Sequence, residues 1–337
     1  MKIGFIVTMP VVEPNNGIKM QAINWKAGLE ELGHEVKLID LWENNDWKQF
    51  DIVHLFGLGD LLYPLTKKIY NFNRNIVISP IIDPLPHMRP WMYKVLSHWG
   101  SRKLRLRNNI LCLRESSPYV KMFSARSEFE KQYLTAIIGD SDKIQITPLS
   151  TRFLDNQTPP DLEKKEDFCL HVSLLADSRK NVTRLIQAAR KYDFRLVLAG
   201  KLRNEQEKDW LEHEIGGAKN IEYKGFLTDT ELRDLYVRAK VFALPSLYEG
   251  VGLVALEAAS LGCNIVLTTQ GGPKEYYGGR AELVNPYSID DIGQAVLRAL
   301  KDDASQPGLS DHISRQYSPE KTMTGLVDKY TTLLNRE

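Results

Sequence analysis

The sequence predicts an α/β protein built from two Rossmann-like halves, each carrying its own parallel sheet. Three observations lead there. Short β-rich runs alternate with amphipathic helical stretches, which is the signature of parallel strands joined by crossover helices. The alternation stops in a polar stretch, DNQTPPDLEKKED at 155–167, and then restarts. The 337 residues also exceed the ~100–200 residues of an ordinary domain, leaving material for two cores.

The first half opens with KIGFIV, followed by the amphipathic stretch IKMQAINWKAGLEEL, in which Ile18, Ala22, Trp25, Ala27, Leu29 and Leu32 recur at near-helical spacing. Gly33 stands where such a helix stops, and Gly33-His34-Glu35-Val36 leads into the next strand, HEVKLID. DIVHLFG, NIVISPII, YVKMFSA and KIQITPL supply further strands. After the linker come FCLHVSL, FRLVLAG, IEYKG, KVFALPS, NIVLT and AELVN, separated by helical stretches such as TRLIQAARKY and DTELRDLYVRA. A last helix begins at Ser318-Pro319-Glu320 and places Met323, Leu326, Tyr330 and Leu333 on one face, so it needs a surface to pack on. The expected organisation is an N-terminal domain over 1–155, a second domain over 156–316, and a terminal helix over 317–337 that returns to the N-terminal domain.

Composition excludes several classes. A chain that is 43% hydrophobic and 26% charged is neither disordered nor fibrous. With 44 Lys and Arg against 43 Asp and Glu the formal charge is +1, so nucleic acid is not an expected partner. Cys112, Cys169 and Cys263 lie far apart with no CxxC pair, which fits a reducing compartment and supplies no metal cluster. The opening MKIGFIVTMPVVEP reads as part of the fold rather than a secretion signal, and no apolar stretch reaches the ~20 residues that span a bilayer. A cytoplasmic chain, peripheral at most to the inner face of a membrane, is expected.

The most informative window is PSLYEGVGLVALEAASLGCNIVLT, residues 245–268. Strand KVFAL ends there, a loop carries Glu249, Gly250 and Gly252, and a helix follows. Ligands of open parallel sheets bind at the carboxyl ends of strands. The unpaired amides of a Gly-rich turn entering a helix suit a phosphate. Glu249 and Glu257 cannot hold that phosphate themselves, but a carboxylate accepts two hydrogen bonds from a vicinal diol, so each suits a hydroxyl-bearing group beside it. Gly250-x-Gly252-x-x-Ala255 also fits a dinucleotide fingerprint, yet it is not in the first turn of its domain. Asp140-Ser141-Asp142 reads as a turn. No P-loop, GxSxG or HExxH occurs.

Glu249 and Glu257 with seven residues between them, set in PSLYEGVGLVALEA and followed by Gly271-Gly272-Pro273-Lys274-Glu275, resemble the donor-site signature of the family 4 (group 1) retaining glycosyltransferases. The resemblance runs through nearly the whole chain: Gly17 in the opening loop, the GHEV turn, DIVHLF, the stretch ending in ITPL, Lys180-Asn181 before a helix, and Lys224-Gly225-Phe226. It implies the GT-B fold, two Rossmann-like domains facing across a cleft, with acceptor binding in the first domain and a nucleotide-sugar donor in the second. Glu257 would take the ribose hydroxyls and Glu249 the C3 and C4 hydroxyls of the donor sugar. Lys180 would neutralise the diphosphate, and amides around Val251, Gly252, Leu253 and Val254 would hold sugar and phosphate. Gly17, Gly225 and Phe226 would border the donor.

No metal or other cofactor is implied beyond the donor itself. The acceptor would be a hydroxyl of a glycan or of a lipid-linked chain. A non-catalytic nucleotide-sugar-binding subunit, or another GT-B activity such as an epimerase, is the alternative.

Two positions depart from the family pattern. Ser173-Leu174-Leu175 stands where an Arg partner for the Lys is expected, leaving Arg179 as substitute, and Ile82-Asp83 stands where a His-Asp pair is expected, leaving His87 four residues on. The plain alternatives are a solvated Arg179-Lys180 pair and an ordinary loop histidine. Residues 89–126 carry nine Lys and Arg against one acid, Glu115, and Trp91 and Trp99 precede Arg102, Lys103, Arg105 and Arg107. Such a segment suits an anionic membrane surface or an acceptor, with an amphipathic helix bearing a solvated basic face as the alternative.

Overall fold

In the computed structural model, residues 1–8, 17–85, 87–100, 106–153, 165–301 and 306–335 are described. The strands are β1 (Lys2–Val7), β2 (Glu35–Leu38), β3 (Ile52–Phe56), β4 (Ile76–Ser79), β5 (Met122–Ala125) and β6 (Ile144–Ile146), then β7 (Glu166–Val172), β8 (Leu196–Ala199), β9 (Ile221–Tyr223), β10 (Ala239–Leu244), β11 (Asn264–Thr268) and β12 (Glu282–Val284). Between the strands of the first half lie α1 (Gly17–Glu31), α2 (Leu62–Tyr70), α3 (Pro90–His98), α4 (Asn109–Ser116) and α5 (Glu128–Ile138). The second half carries α6 (Val182–Tyr192), α7 (Glu205–Ile215), α8 (Asp229–Arg238), α9 (Leu253–Ser260), α10 (Pro273–Tyr277), α11 (Ile289–Lys301) and α12 (Leu309–Gln316), and α13 (Pro319–Leu334) ends the chain.

Two compact units result: Met1–Ser150 with Pro319–Glu337, and Thr151–Ser318. Each holds one six-stranded sheet, ordered β2-β1-β3-β4-β5-β6 in the first and β12-β11-β10-β7-β8-β9 in the second. Every strand pair is parallel.

Local chemistry sets the elements. Strands buried on both faces read as continuous apolar runs, as in β4 and β8, whose residues are all buried. Ser127 caps α5 by accepting from the Glu130 amide, and Gly139, left-handed, ends it. Thr228 and Glu231 form a reciprocal capping box at the start of α8.

In the first unit the alternation along β3 sorts the core. Ile52 and Phe56 face a cluster with Trp25 and Leu29 of α1 and with Met323, Leu326 and Tyr330 of α13. Val53 and Leu55 face the opposite layer with Phe123 and Leu134. His54, between them, is fully buried and joins the layers of its own face, with Nδ1 2.5 Å from the Tyr330 hydroxyl and Nε2 2.8 Å from Ser79 Oγ. Burial pushes its imidazole down to about 3, so it is neutral in the folded unit.

The boundaries differ from the expected ones. β7 begins at Glu166, so the last residues of the expected linker are strand, and Lys165 donates to the carbonyls of Tyr236 and Leu261 at 2.9 and 2.8 Å. Residues 155–164 of that linker lie outside the described residues. The second unit also starts earlier than expected, at Thr151. Thr151 Oγ1 lies 3.1 Å from Ser260 Oγ, and Arg152 reaches Glu257, so both are anchored to α9.

Candidate active site

In the second sheet the strand order reverses between β7 and β10, which lie side by side although two strands separate them in sequence. At such a switch point the loops leaving the two strands diverge and open a crevice at their carboxyl ends. The loop after β7 carries Lys180 and the loop after β10 carries Glu249, so the two side chains identified in the sequence meet there. Lys180 Nζ donates to Glu249 Oε2 at 2.8 Å, with the side chains 14% and 9% exposed. Ser246 Oγ donates to the same oxygen at 3.1 Å.

The backbone fixes this meeting. Asp177 accepts from the Arg179 amide and caps a single 3₁₀ turn, Ser178–Lys180. Asn181 then takes a left-handed backbone (φ 60°), tolerated best by Asn among residues with a Cβ. Its buried amide nitrogen donates to the carbonyls of Pro245 and Pro286 at 2.8 and 2.7 Å. The Leu247 amide donates to the Arg179 carbonyl at 2.8 Å, so the two loops are stitched by main chain as well.

Glu249 is held from its other side by the 270s loop. Its amide donates to the Gln270 carbonyl and its carbonyl accepts from the Gly272 amide, each at 3.2 Å. Gly271 sits against it with φ 104°, and a Cβ there would lie 1.9 Å from the Glu249 carbonyl oxygen. Only glycine meets both conditions.

From Glu249 the chain passes through buried Gly250 and Val251 to Gly252, left-handed at φ 81°, and into α9. The first amides of a helix have no intrahelical acceptor and carry the positive end of its dipole. Leu253 and Val254, the first helical residues, are only partly buried. One turn further, Glu257 is 1% exposed. Arg152 Nε donates to its Oε1 at 2.6 Å and the Tyr236 hydroxyl to its Oε2 at 3.4 Å.

Where the family pattern calls for an Arg after β7, Ser173 is held by its neighbour. His171 lies buried, its Nδ1–H donating to the Ala243 carbonyl at 2.8 Å, which leaves Nε2 to accept from Ser173 Oγ at 2.7 Å. Burial pushes this imidazole down to about 4, so it is a neutral brace between β7 and β10. The expected substitute, Arg179, has its Nε 3.5 Å from Asp177 and its guanidinium 5.5 Å from the Tyr248 ring centroid.

Gly225 and Phe226 follow β9, at the sheet edge, with the Gly225 carbonyl accepting from the Gly200 amide and Phe226 60% exposed. Gly17 and His87 belong to the first unit, where Gly17 opens α1 and His87 is exposed in a turn. Arg107 is exposed in that unit, while Arg102, Lys103 and Arg105 lie outside the described residues. Asp140-Ser141-Asp142 is a turn, its Asp140 side chain accepting from the Asp142 amide at 3.1 Å. Among the described residues no group of three or more His, Cys, Asp or Glu is placed to hold a metal, and no helix is long and apolar enough to cross a membrane.

Two parallel sheets, with a Lys-Glu pair and a glycine turn at the switch point of the second, define a GT-B architecture. Residues 155–316 match the model of the family glycosyl transferases group 1. The O-antigen chain mannosyltransferase B of Escherichia coli is 28% identical over 253 residues, a match covering 68% of this chain and 66% of that relative. Two solved structures share the fold. Sucrose-phosphate synthase from Thermosynechococcus elongatus superposes with a TM-score of 0.74 at 15% identity, covering 100% of both chains. Anabaena Alr3699/HepE in complex with UDP and glucose does so at 0.70 and 14% identity, covering 98% of this chain and 100% of that one.

Sequence reasoning missed Arg152, Ser246 and His171. Arg152 is 105 residues from the carboxylate it pairs with, a separation that leaves no local signal.

Replacing Gly271 with Ala should drive a Cβ into the Glu249 carbonyl and strain a left-handed backbone. We expect the second unit to lose at least about 2 kcal/mol in urea unfolding. A loss below about 0.5 kcal/mol would show that the loop around Glu249 is not held by this contact.

Proposed function

We propose that the chain is a retaining glycosyltransferase that moves a sugar from a nucleoside-diphosphate donor to a hydroxyl of a glycan or lipid-linked acceptor. The observation that carries this reading is the Lys180–Glu249 pair at the switch point, continuous with the Gly250–Val254 turn into α9. During transfer the bond from the sugar C1 to the diphosphate oxygen breaks and the leaving nucleoside diphosphate takes the electron pair. The acceptor oxygen bonds to C1, and its proton passes to the departing diphosphate.

Negative charge therefore grows on the phosphate, where a fixed ammonium group and helix amides lower the barrier directly. Lys180 and the amides of Val251–Val254 fill that role without a metal. Glu249, buried beside Lys180, accepts from the C3 and C4 hydroxyls of the sugar, and Glu257 accepts from the ribose. The mannosyltransferase relative supports mannosyl as the sugar transferred and a growing polysaccharide as its destination. The UDP and glucose complex of the HepE neighbour supports a nucleoside diphosphate as the carrier.

The division of labour between the carboxylates is measurable. Glu257→Ala should weaken nucleoside diphosphate binding at least about tenfold, the worth of about one charge-assisted hydrogen bond. Glu249→Ala should leave that binding within about threefold and lower turnover ~10²-fold or more. Calorimetry with UDP, GDP and ADP, beside turnover assays, decides it. Equal losses of binding in both variants would refute the assignment.

The acceptor is met at an anionic lipid surface. On α3, Trp91 and Val95 are 64% and 59% exposed, and Trp99, at the C-cap, is 70% exposed. Their spacing of four puts them along one face, with Tyr93 and Ser97 turned into the unit and Arg89, Lys94 and Arg107 exposed nearby in sequence. Exposed tryptophans beside cations suit a headgroup interface better than water. The chain should sediment with phosphatidylglycerol vesicles and not with phosphatidylcholine alone, and less so at high salt, because screening acts over ~10 Å at 0.1 M. Replacing Arg102, Lys103, Arg105 and Arg107 with Gln should remove most of the binding, at ~1 kcal/mol per basic residue. Unchanged sedimentation would exclude the lipid surface.

A further inference from the structure

Glu257 is an unusual ligand because it is already occupied. Arg152 Nε takes one lone pair of Oε1, and the Tyr236 hydroxyl leans on Oε2. The other end of the same guanidinium donates to Asp229 Oδ1 at 2.8 Å, and its carbon lies 4.4 Å from the Phe153 ring centroid. The side chains are graded in exposure, 72% for Asp229, 20% for Arg152 and 1% for Glu257. A line of charge thus runs from solvent to the buried carboxylate.

We infer that Arg152 is a positioning residue that keeps Glu257 an oriented, ionised carboxylate, able to accept both hydroxyls of a nucleotide ribose. The inference rests on the reading of Glu257 as the ribose ligand. A carboxylate offers about four lone-pair sites. With one on each oxygen engaged by Arg152 and Tyr236, one on each remains, which matches a vicinal diol. A protonated Glu257 would turn one acceptor into a donor, and a diol that needs two acceptors would lose a hydrogen bond.

The charge balance around Glu257 makes the ionised form precarious. Burial pushes its carboxyl up to about 7, and Arg152 and the Tyr236 hydroxyl oppose that rise while Asp229 adds slightly to it. These are the charged and titratable groups that bear on it, from the segment entering the unit and from α8. Ribose binding requires the ionised form, so affinity is full above that pKa and is lost as pH falls through it. Removing Arg152 removes the main opposing charge, so the loss must begin at higher pH.

The test is calorimetric titration of the full chain from pH 5.5 to 9, using whichever of UDP, GDP and ADP binds the wild type most tightly. Glu257→Gln, measured in parallel, reports the titration of the nucleotide itself. After that baseline is subtracted, the wild type should weaken about tenfold per pH unit below a midpoint near 7. Arg152→Gln should have a midpoint at least about one unit higher, binding at least about fivefold more weakly at pH 7, about tenfold more weakly at pH 5.5, and converging with the wild type at pH 9. Arg152→Lys, which keeps the charge, should restore most of the wild-type profile. Should Arg152→Gln fail to fold, Arg152→Met keeps the stem along Phe153 and drops the charge.

If Glu257→Gln binds like the wild type at every pH, or no nucleotide binds, the reading of Glu257 falls and the inference with it. If Glu257→Gln is weakened while Arg152→Gln follows the wild-type profile, the inference alone is overturned. A loss in Arg152→Gln that is the same at every pH and is not repaired by Lys marks a structural role only, and overturns it as well.

Discussion

The salt bridge between Lys180 and Glu249 is the constraint around which the second unit is organised at its carboxyl edge. Two charged side chains that are mostly out of water lose hydration that their attraction must replace, and each depends on the other to be tolerated there. The surrounding structure explains why they meet. Asn181 clamps the Lys180 loop to the carbonyls of Pro245 and Pro286, the Arg179 carbonyl receives the Leu247 amide, and Gly271 lets the 270s loop lie directly on the Glu249 backbone. None of these contacts needs a ligand. The loops are therefore set by the chain's own contacts, which under the proposed function leaves fixed charges in place to lower a barrier without reorganising.

The same edge carries two kinds of carboxylate. Glu249 shares its oxygen with a lysine and a serine in the loop after β10, whereas Glu257, on α9, is paired with an arginine and a tyrosine. Their partners suit different tasks. A compact ammonium group has three donors, enough to serve a phosphate beside the carboxylate it already holds, while a planar guanidinium between two acids holds one carboxylate in place. His171 contributes no charge. It is a neutral brace that ties β7 to β10 and orients Ser173, at the position where the family pattern expects an arginine.

Much of this was legible in the sequence because the signals are local. Strands such as NIVIS and RLVLAG are short apolar runs bounded by turn residues, and their alternation with amphipathic helices is enough to predict parallel sheets. Glu249, Gly250, Gly252 and Glu257 sit in one strand-loop-helix window, and Lys180 follows a strand by a few residues. What the sequence concealed depends on contacts between distant segments. Arg152 read as the end of the first domain and instead pairs with α9, and Lys165 read as linker and instead docks on Tyr236 and Leu261. His54 read as one residue of an apolar strand, with nothing to mark Tyr330 as its partner 276 positions away.

The most direct test of the account is a crystal structure of the chain with the nucleoside diphosphate that binds it most tightly. The account predicts the β-phosphate within hydrogen-bond distance of Lys180 Nζ and of the amides between Val251 and Val254, with both ribose hydroxyls on Glu257. A diphosphate bound elsewhere, with the Lys180–Glu249 contact still at 2.8 Å and the Gly250–Val254 amides unoccupied, would contradict it.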